Sequence, residues 1–157
     1  MKYLILLLLL SSCGNQGDDD VMVRKVTKKK DVVVTVSSIL KPYAQSFQSI
    51  MGVDTTKISL AFVKQDTRTR LAVCWIYPDS TERDIEVDPT WWNGATPSAR
   101  EQVMYHELGH CAMGIMHRDG HDVNHLPLSI MRSWAFDDDE LDNYELHHDE
   151  YMNELKH

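Results

Sequence analysis

The 157-residue sequence predicts an α+β domain. Three observations carry that prediction. Short β-branched or alternating runs are interspersed with stretches of helical periodicity. Helix-start and helix-stop residues bracket two of those stretches. An apolar content of 43% is enough for one core. The expected architecture is a twisted mixed sheet of about four strands. It packs on an N-terminal helix and a central helix, and a further helix closes the C-terminus.

Each element has its own signal. Val32-Val33-Val34-Thr35-Val36 is β-branched and reads as a strand or an extended lead-in. Ser37 or Ser38 can cap a helix that runs to Met51. Ile39, Tyr43, Phe47 and Ile50 recur along it at helical spacing, and Pro42 fits its first turn. Gly52 is the expected stop. Ile58 to Val63 and Leu71 to Tyr77 read as strands, and Pro78-Asp79-Ser80-Thr81 as a turn. Arg83 to Asp88 alternates, with Ile85 and Val87 on one face and Asp84, Glu86 and Asp88 on the other. This suits a half-exposed strand at a sheet edge.

The central helix begins at Thr96 or Ser98, with Pro97 in its first turn. Glu101 lies three residues after Ser98, as in a capping box. The helix is expected to reach Met113, where Gly114 offers a left-handed terminus. A final helix is predicted from Glu140 to Leu155, presenting Leu141, Tyr144, Leu146, Tyr151, Met152 and Leu155 as apolar contacts.

The first residues read as an address. Met1-Lys2-Tyr3 precedes an apolar run from Leu4 to Leu10, which is too short for a bilayer span of about 20 residues. A positive residue, a short apolar stretch and small residues make a secretory signal. Leu10-Ser11-Ser12-Cys13 resembles the lipobox of bacterial lipoproteins. That resemblance implies cleavage before Cys13 and lipid attachment to it, tethering the chain to a membrane. The predicted organisation is a signal peptide at 1–12, a lipidated anchor and polar tether at 13–30, and a domain at 31–157. Gly14 follows Cys13 with no aspartate beside it. By the same resemblance this favours the outer membrane or cell surface over the inner membrane.

With Cys13 blocked, Cys74 and Cys111 remain. An exported compartment permits a disulfide between them; two buried thiols are the alternative. The net charge of −8 argues against binding nucleic acid through a basic surface.

Five of the eight histidines (His106, His110, His117, His121 and His125) fall in one short stretch. Residues 106–110 read His-Glu-Leu-Gly-His. Positions four apart share a helix face, so His106 and His110 can point at one metal ion. Glu107 then stands beside the ion, placed to take a proton from water. This HExxH pattern is the zincin signature. A catalytic zinc needs a third protein ligand. Gly114 lets the chain turn sharply, and His117 can swing back.

Here the sequence resembles the metzincin clan of zinc metallopeptidases, whose extended motif is HExxHxxGxxH. The chain has HELGHCAMGIMH, with one extra residue before the glycine. The glycine-to-histidine spacing is retained, and a helix longer by one residue can absorb the insertion. His117 is the favoured third ligand; His121, Asp119 and His125 are the alternatives. Pro127-Leu128-Ser129-Ile130-Met131 resembles the Ser-x-Met turn that metzincins place beneath the metal. The pattern also resembles a group of small bacterial lipoprotein metallopeptidases.

The resemblance implies a small zincin-like domain, a Zn2+ cofactor and a peptide or protein substrate. It implies ligands His106, His110 and His117, the general base Glu107, and Gly114 and Met131 as support. Two other readings stay open. In a gluzincin-like site, Glu140 or Glu145 completes the ligand set. Alternatively, the chain is a non-catalytic zinc-binding surface lipoprotein.

Overall fold

The computed structural model describes residues 37–65 and 70–157, together with the backbone of 21–23. The fold is α+β: a small mixed sheet and several helices. Three five-residue strands build the sheet: β2 (Ile58–Phe62), β3 (Ala72–Ile76) and β4 (Arg83–Val87). A three-residue stretch, β1 (Val21–Val23), runs parallel to β3 along its outer side. Those three residues fall within the run expected to be tether. The predicted strand at Val32–Val36, the signal peptide and Cys13 lie outside the described residues.

The strand order, β1-β3-β4-β2, corrects one expectation. Arg83–Val87 is an interior strand, pairing parallel with β2 and antiparallel with β3. Ile85 is in register with Leu60 on one side and Cys74 on the other. The alternation reflected two sheet faces, which an interior strand shows as clearly as an edge strand. Ile85 and Val87 are buried in the core. Asp84 is buried too, and its carboxylate accepts a hydrogen bond from the Tyr77 hydroxyl.

Helix α1 (Lys41–Met51) starts later than Ser37, and Leu40 is its N-cap. Gly52, at φ 70°, ends it by giving its N–H to Gln48 at 2.8 Å. Its buried face carries Ala44 and Phe47. The Phe47 ring meets Tyr105 edge-on at 5.2 Å, and Tyr105 donates to Ser46 at 2.8 Å. Ile39 is exposed, outside that face.

A short helix not anticipated from the sequence, α2 (Pro89–Gly94), follows β4. Asp88 caps it by accepting from the N–H groups of Thr90 and Trp91. Trp92 is buried among Tyr43, Phe62 and Trp91, so it is a core residue.

Helix α3 (Pro97–Leu108) is capped by Thr96, whose hydroxyl accepts from Ala99 N–H at 3.2 Å. Ser98 does not form the predicted capping box with Glu101; it lies inside the first turn and bonds to Glu145. The C-terminal helix is two helices, α4 (Asp138–Leu146) and α5 (His148–Glu154). His147, at φ −118° and ψ 24°, separates them. A capping box between Asp137 and Glu140 opens α4 two residues before the predicted start. No described helix is long and apolar enough to cross a membrane.

Candidate metal centre

Helix α3 carries His106 and Glu107 in its last turn, and a π-helical turn, Gly109–Met113, carries His110. This turn accommodates the extra residue in HELGHCAMGIMH. A π-turn is wider than an α-turn and holds one more residue while the chain continues in the same direction. Gly114 then adopts φ 68°, and Ile115 N–H closes the end on Gly109 O at 3.1 Å. The chain reverses and brings His117 back.

The ring centroids of His106, His110 and His117 lie 4.6, 5.3 and 4.8 Å apart pairwise. One ring nitrogen from each falls within 4.8 Å of the others, so the triad can hold a metal ion. The hydrogen bonds behind two of the rings fix their tautomers. His106 Nδ1 donates to Ile130 O at 2.7 Å, and His110 Nδ1 donates to Ile115 O at 2.5 Å. Carbonyl oxygens only accept, so both protons sit on Nδ1 and both Nε2 lone pairs face forward. Those two Nε2 atoms are 3.0 Å apart. Two lone pairs that close repel, and a cation shared between them removes the repulsion.

Burial reinforces the neutral form. Desolvation, with help from neighbouring His110, pushes the His106 pKa down to about 3. Desolvation likewise lowers His110 to about 4, against the opposing pull of its bond to Ile115. Neutral imidazole is the form that ligates metal. Glu107 is 2% exposed, so its carboxylate is shielded from bulk water.

Met131 is fully buried beneath this region. A Cβ built on Gly109 would lie 2.5 Å from Met131 Sδ, so the turn and the methionine are in close contact. Ser129 Oγ accepts from Met131 N–H at 3.0 Å, and Met131 O accepts from Arg118 N–H at 2.8 Å. Cys74 and Cys111 are joined as a disulfide with a Cα–Cα distance of 5.7 Å. It ties β3 to the residue immediately after His110.

The other candidate ligands are engaged elsewhere. Both Asp119 oxygens accept from Ser133, and His121 Nε2 faces Arg132 Nη1 at 3.3 Å. His125 sits at φ 65° on an exposed loop. Glu140 grips buried Arg132 through both oxygens, at 2.5 and 2.7 Å, and Glu145 bonds to Ser98.

Sequence reasoning missed the two carbonyls that orient the histidines, since backbone acceptors leave no residue signature. It also missed Ser133 and Glu154. Glu154 reaches from α5 to Arg118 at 2.6 Å and Ser129 at 2.8 Å. Compared with known proteins, the chain matches no family model, no curated protein and no solved structure.

Proposed function

We propose that the chain is a zinc metalloendopeptidase of metzincin-like type. On this reading it is exported and anchored through lipid on Cys13, at the outer membrane or cell surface. One observation carries it: a three-histidine cluster in which the buried His106 and His110 rings are orientated from behind by carbonyls and half-buried His117 completes the set, with Glu107 next to the first ligand in the motif. Three nitrogen ligands suit zinc and leave a fourth position for the reaction.

When bound, zinc supplies the Lewis acidity that makes water a nucleophile near neutral pH and stabilises oxyanion charge. The protein supplies the rest. His106, His110 and His117 hold the ion at one end of the α3–π segment. Glu107 takes the proton from the attacking water and delivers it to the departing amine. Met131 and the Cys74–Cys111 bridge fix the floor and the side of that segment. A substrate in extended form adds backbone hydrogen bonds along a sheet strand. Arg83–Val87, being interior, cannot be the strand that receives it.

The test is Glu107→Gln. It is expected to keep one zinc per chain and to lose peptide hydrolysis by at least about a hundredfold. Wild-type protein that carries zinc but cleaves nothing in a diverse peptide library would overturn the peptidase reading and leave a zinc-binding lipoprotein. The engagement of Glu140 and Glu145 elsewhere counts against the gluzincin-like ligand set.

A further inference from the structure

We propose that Asp119 is the positioning residue for the third ligand, clasping the His117 segment to the methionine turn through Ser133. The inference rests on the metal-centre reading and is independent of the peptidase reading.

His117 stands on an irregular segment beyond Gly114, unlike His106 and His110, which ride on helix. Something other than helical hydrogen bonding must therefore set its place. Two residues on, Asp119 sends both carboxylate oxygens to one residue, accepting from Ser133 N–H at 2.8 Å and from Ser133 Oγ at 2.8 Å. A carboxylate bound twice by the same partner is fixed in angle as well as distance.

Ser133 lies two residues after Met131, which is buried against Gly109. The clasp therefore joins the loose ligand segment to a residue wedged under the two fixed ligands. Neighbouring bonds run the same way: Arg118 N–H to Met131 O at 2.8 Å and Leu128 N–H to Gly120 O at 3.1 Å. They form a ladder between residues 118–120 and 128–133, with Asp119 providing its side-chain rung. Both Asp119 oxygens are directed at Ser133, and Asp119 is not part of the histidine cluster.

The experiment compares wild type with Asp119→Ala, Asp119→Asn and Ser133→Ala. The readouts are metal affinity by chelator competition, the visible absorption of the Co2+-loaded protein, and thermal unfolding of the metal-free protein. Asp119→Ala is expected to weaken Co2+ and Zn2+ binding by roughly tenfold or more and to shift the cobalt bands, with metal-free unfolding little changed. Asparagine keeps an oxygen for the Ser133 N–H and offers an N–H to the Ser133 hydroxyl. Asp119→Asn is therefore expected to stay within about threefold of wild type. Ser133→Ala keeps one of the two bonds and is expected to fall between the two.

Wild-type affinity and an unchanged cobalt spectrum in Asp119→Ala would overturn the proposal. So would an Asp119→Asn defect as large as that of Asp119→Ala, which would make charge rather than the clasp the cause. If wild type takes up no cobalt, the metal-centre reading falls and the proposal falls with it. Binding by wild type with an indifferent Asp119→Ala overturns the proposal alone.

Discussion

Gly109 and Met131 touch so closely that no side chain fits between them: a Cβ on Gly109 would stand 2.5 Å from the Met131 sulfur. The contact lies between His106 and His110, the two histidines of the candidate site that ride on the helical segment, because Gly109 directly precedes His110. A glycine here costs helix stability relative to alanine, by about 1 kcal/mol. The structure accepts that cost so that a large, polarisable side chain can lie against the backbone under the site.

Gly109→Ala is therefore expected to destabilise the protein, although alanine is the better helix former. Forcing the methionine aside should cost about 1–3 kcal/mol, and metal affinity should fall as His110 is displaced. Met131→Ala alone should cost about 2–5 kcal/mol by leaving a cavity. In the double variant the two effects should not add, because the alanine methyl enters the space the methionine vacates. Chemical denaturation of all three variants, with metal affinity alongside, checks this. Additive losses would show that the contact is incidental.

The sequence showed the histidine cluster and the strand spans well and the strand order poorly, for a physical reason. His106, Glu107 and His110 are legible because helical periodicity is local: residues four apart share a face whatever the rest of the chain does. Thr96 and Gly52 are legible for the same reason, since caps act within one turn. Whether Arg83–Val87 sits inside the sheet depends on β2 and β3, strands separated from it in sequence, and alternation cannot report that. The break at His147 is equally opaque. Apolar residues continue across it, and the chain bends so that Tyr144 and Tyr151 pack together at 5.7 Å. The π-turn stands between these cases. The extra residue could be counted from the sequence, but the structure was needed to show how it is wound.

That winding gives a second prediction. Deleting Ala112 shortens the motif to the regular HExxHxxGxxH spacing and removes the residue that the π-turn accommodates. Because His110, Gly114 and His117 keep their relative order, the deletion variant is expected to bind one metal per chain within about tenfold of wild-type affinity. Deleting Ile115 instead shortens the stretch between Gly114 and His117. It should lose affinity by more than the roughly 10–100-fold typical of removing a partner behind a ligand. Metal stoichiometry and chelator competition on the pair discriminate the two. Equal loss from both deletions would mean that the π-turn itself is required.

The disulfide gives a third. Cys74 and Cys111 enclose a separation of 37 residues, so the bridge should stabilise the domain by about 3–4 kcal/mol through the unfolded chain. It also fixes the residue beside His110 to β3. Cys74→Ser with Cys111→Ser is expected to lower the unfolding midpoint and to weaken metal binding less than His117→Ala does. Thiol counting on denatured protein lacking Cys13, with and without reductant, should give two reactive thiols only after reduction. Free thiols in the untreated protein would contradict the bridge.

A fourth prediction concerns the buried Arg132, which holds the chain just past the methionine turn. Its guanidinium meets both Glu140 oxygens, its Nε donates to Trp134 O at 3.2 Å, and Nη2 donates to Ala135 O at 3.2 Å. Glu140 also closes the capping box of α4, so one carboxylate both ends the loop and starts the helix. Glu140→Ala strands the buried cation and removes half of the cap. The expected loss is about 3–5 kcal/mol, more than a cap alone would explain. Glu140→Gln keeps an acceptor for Arg132 and for the Asp137 N–H, and should lose less. Replacing Arg132 with methionine and Glu140 with leucine together should cost less than Glu140→Ala, since no charge is then left buried. Urea unfolding of the metal-free proteins measures all three. A double variant as unstable as Glu140→Ala would show that the carbonyl contacts of Arg132, rather than its charge, hold the turn.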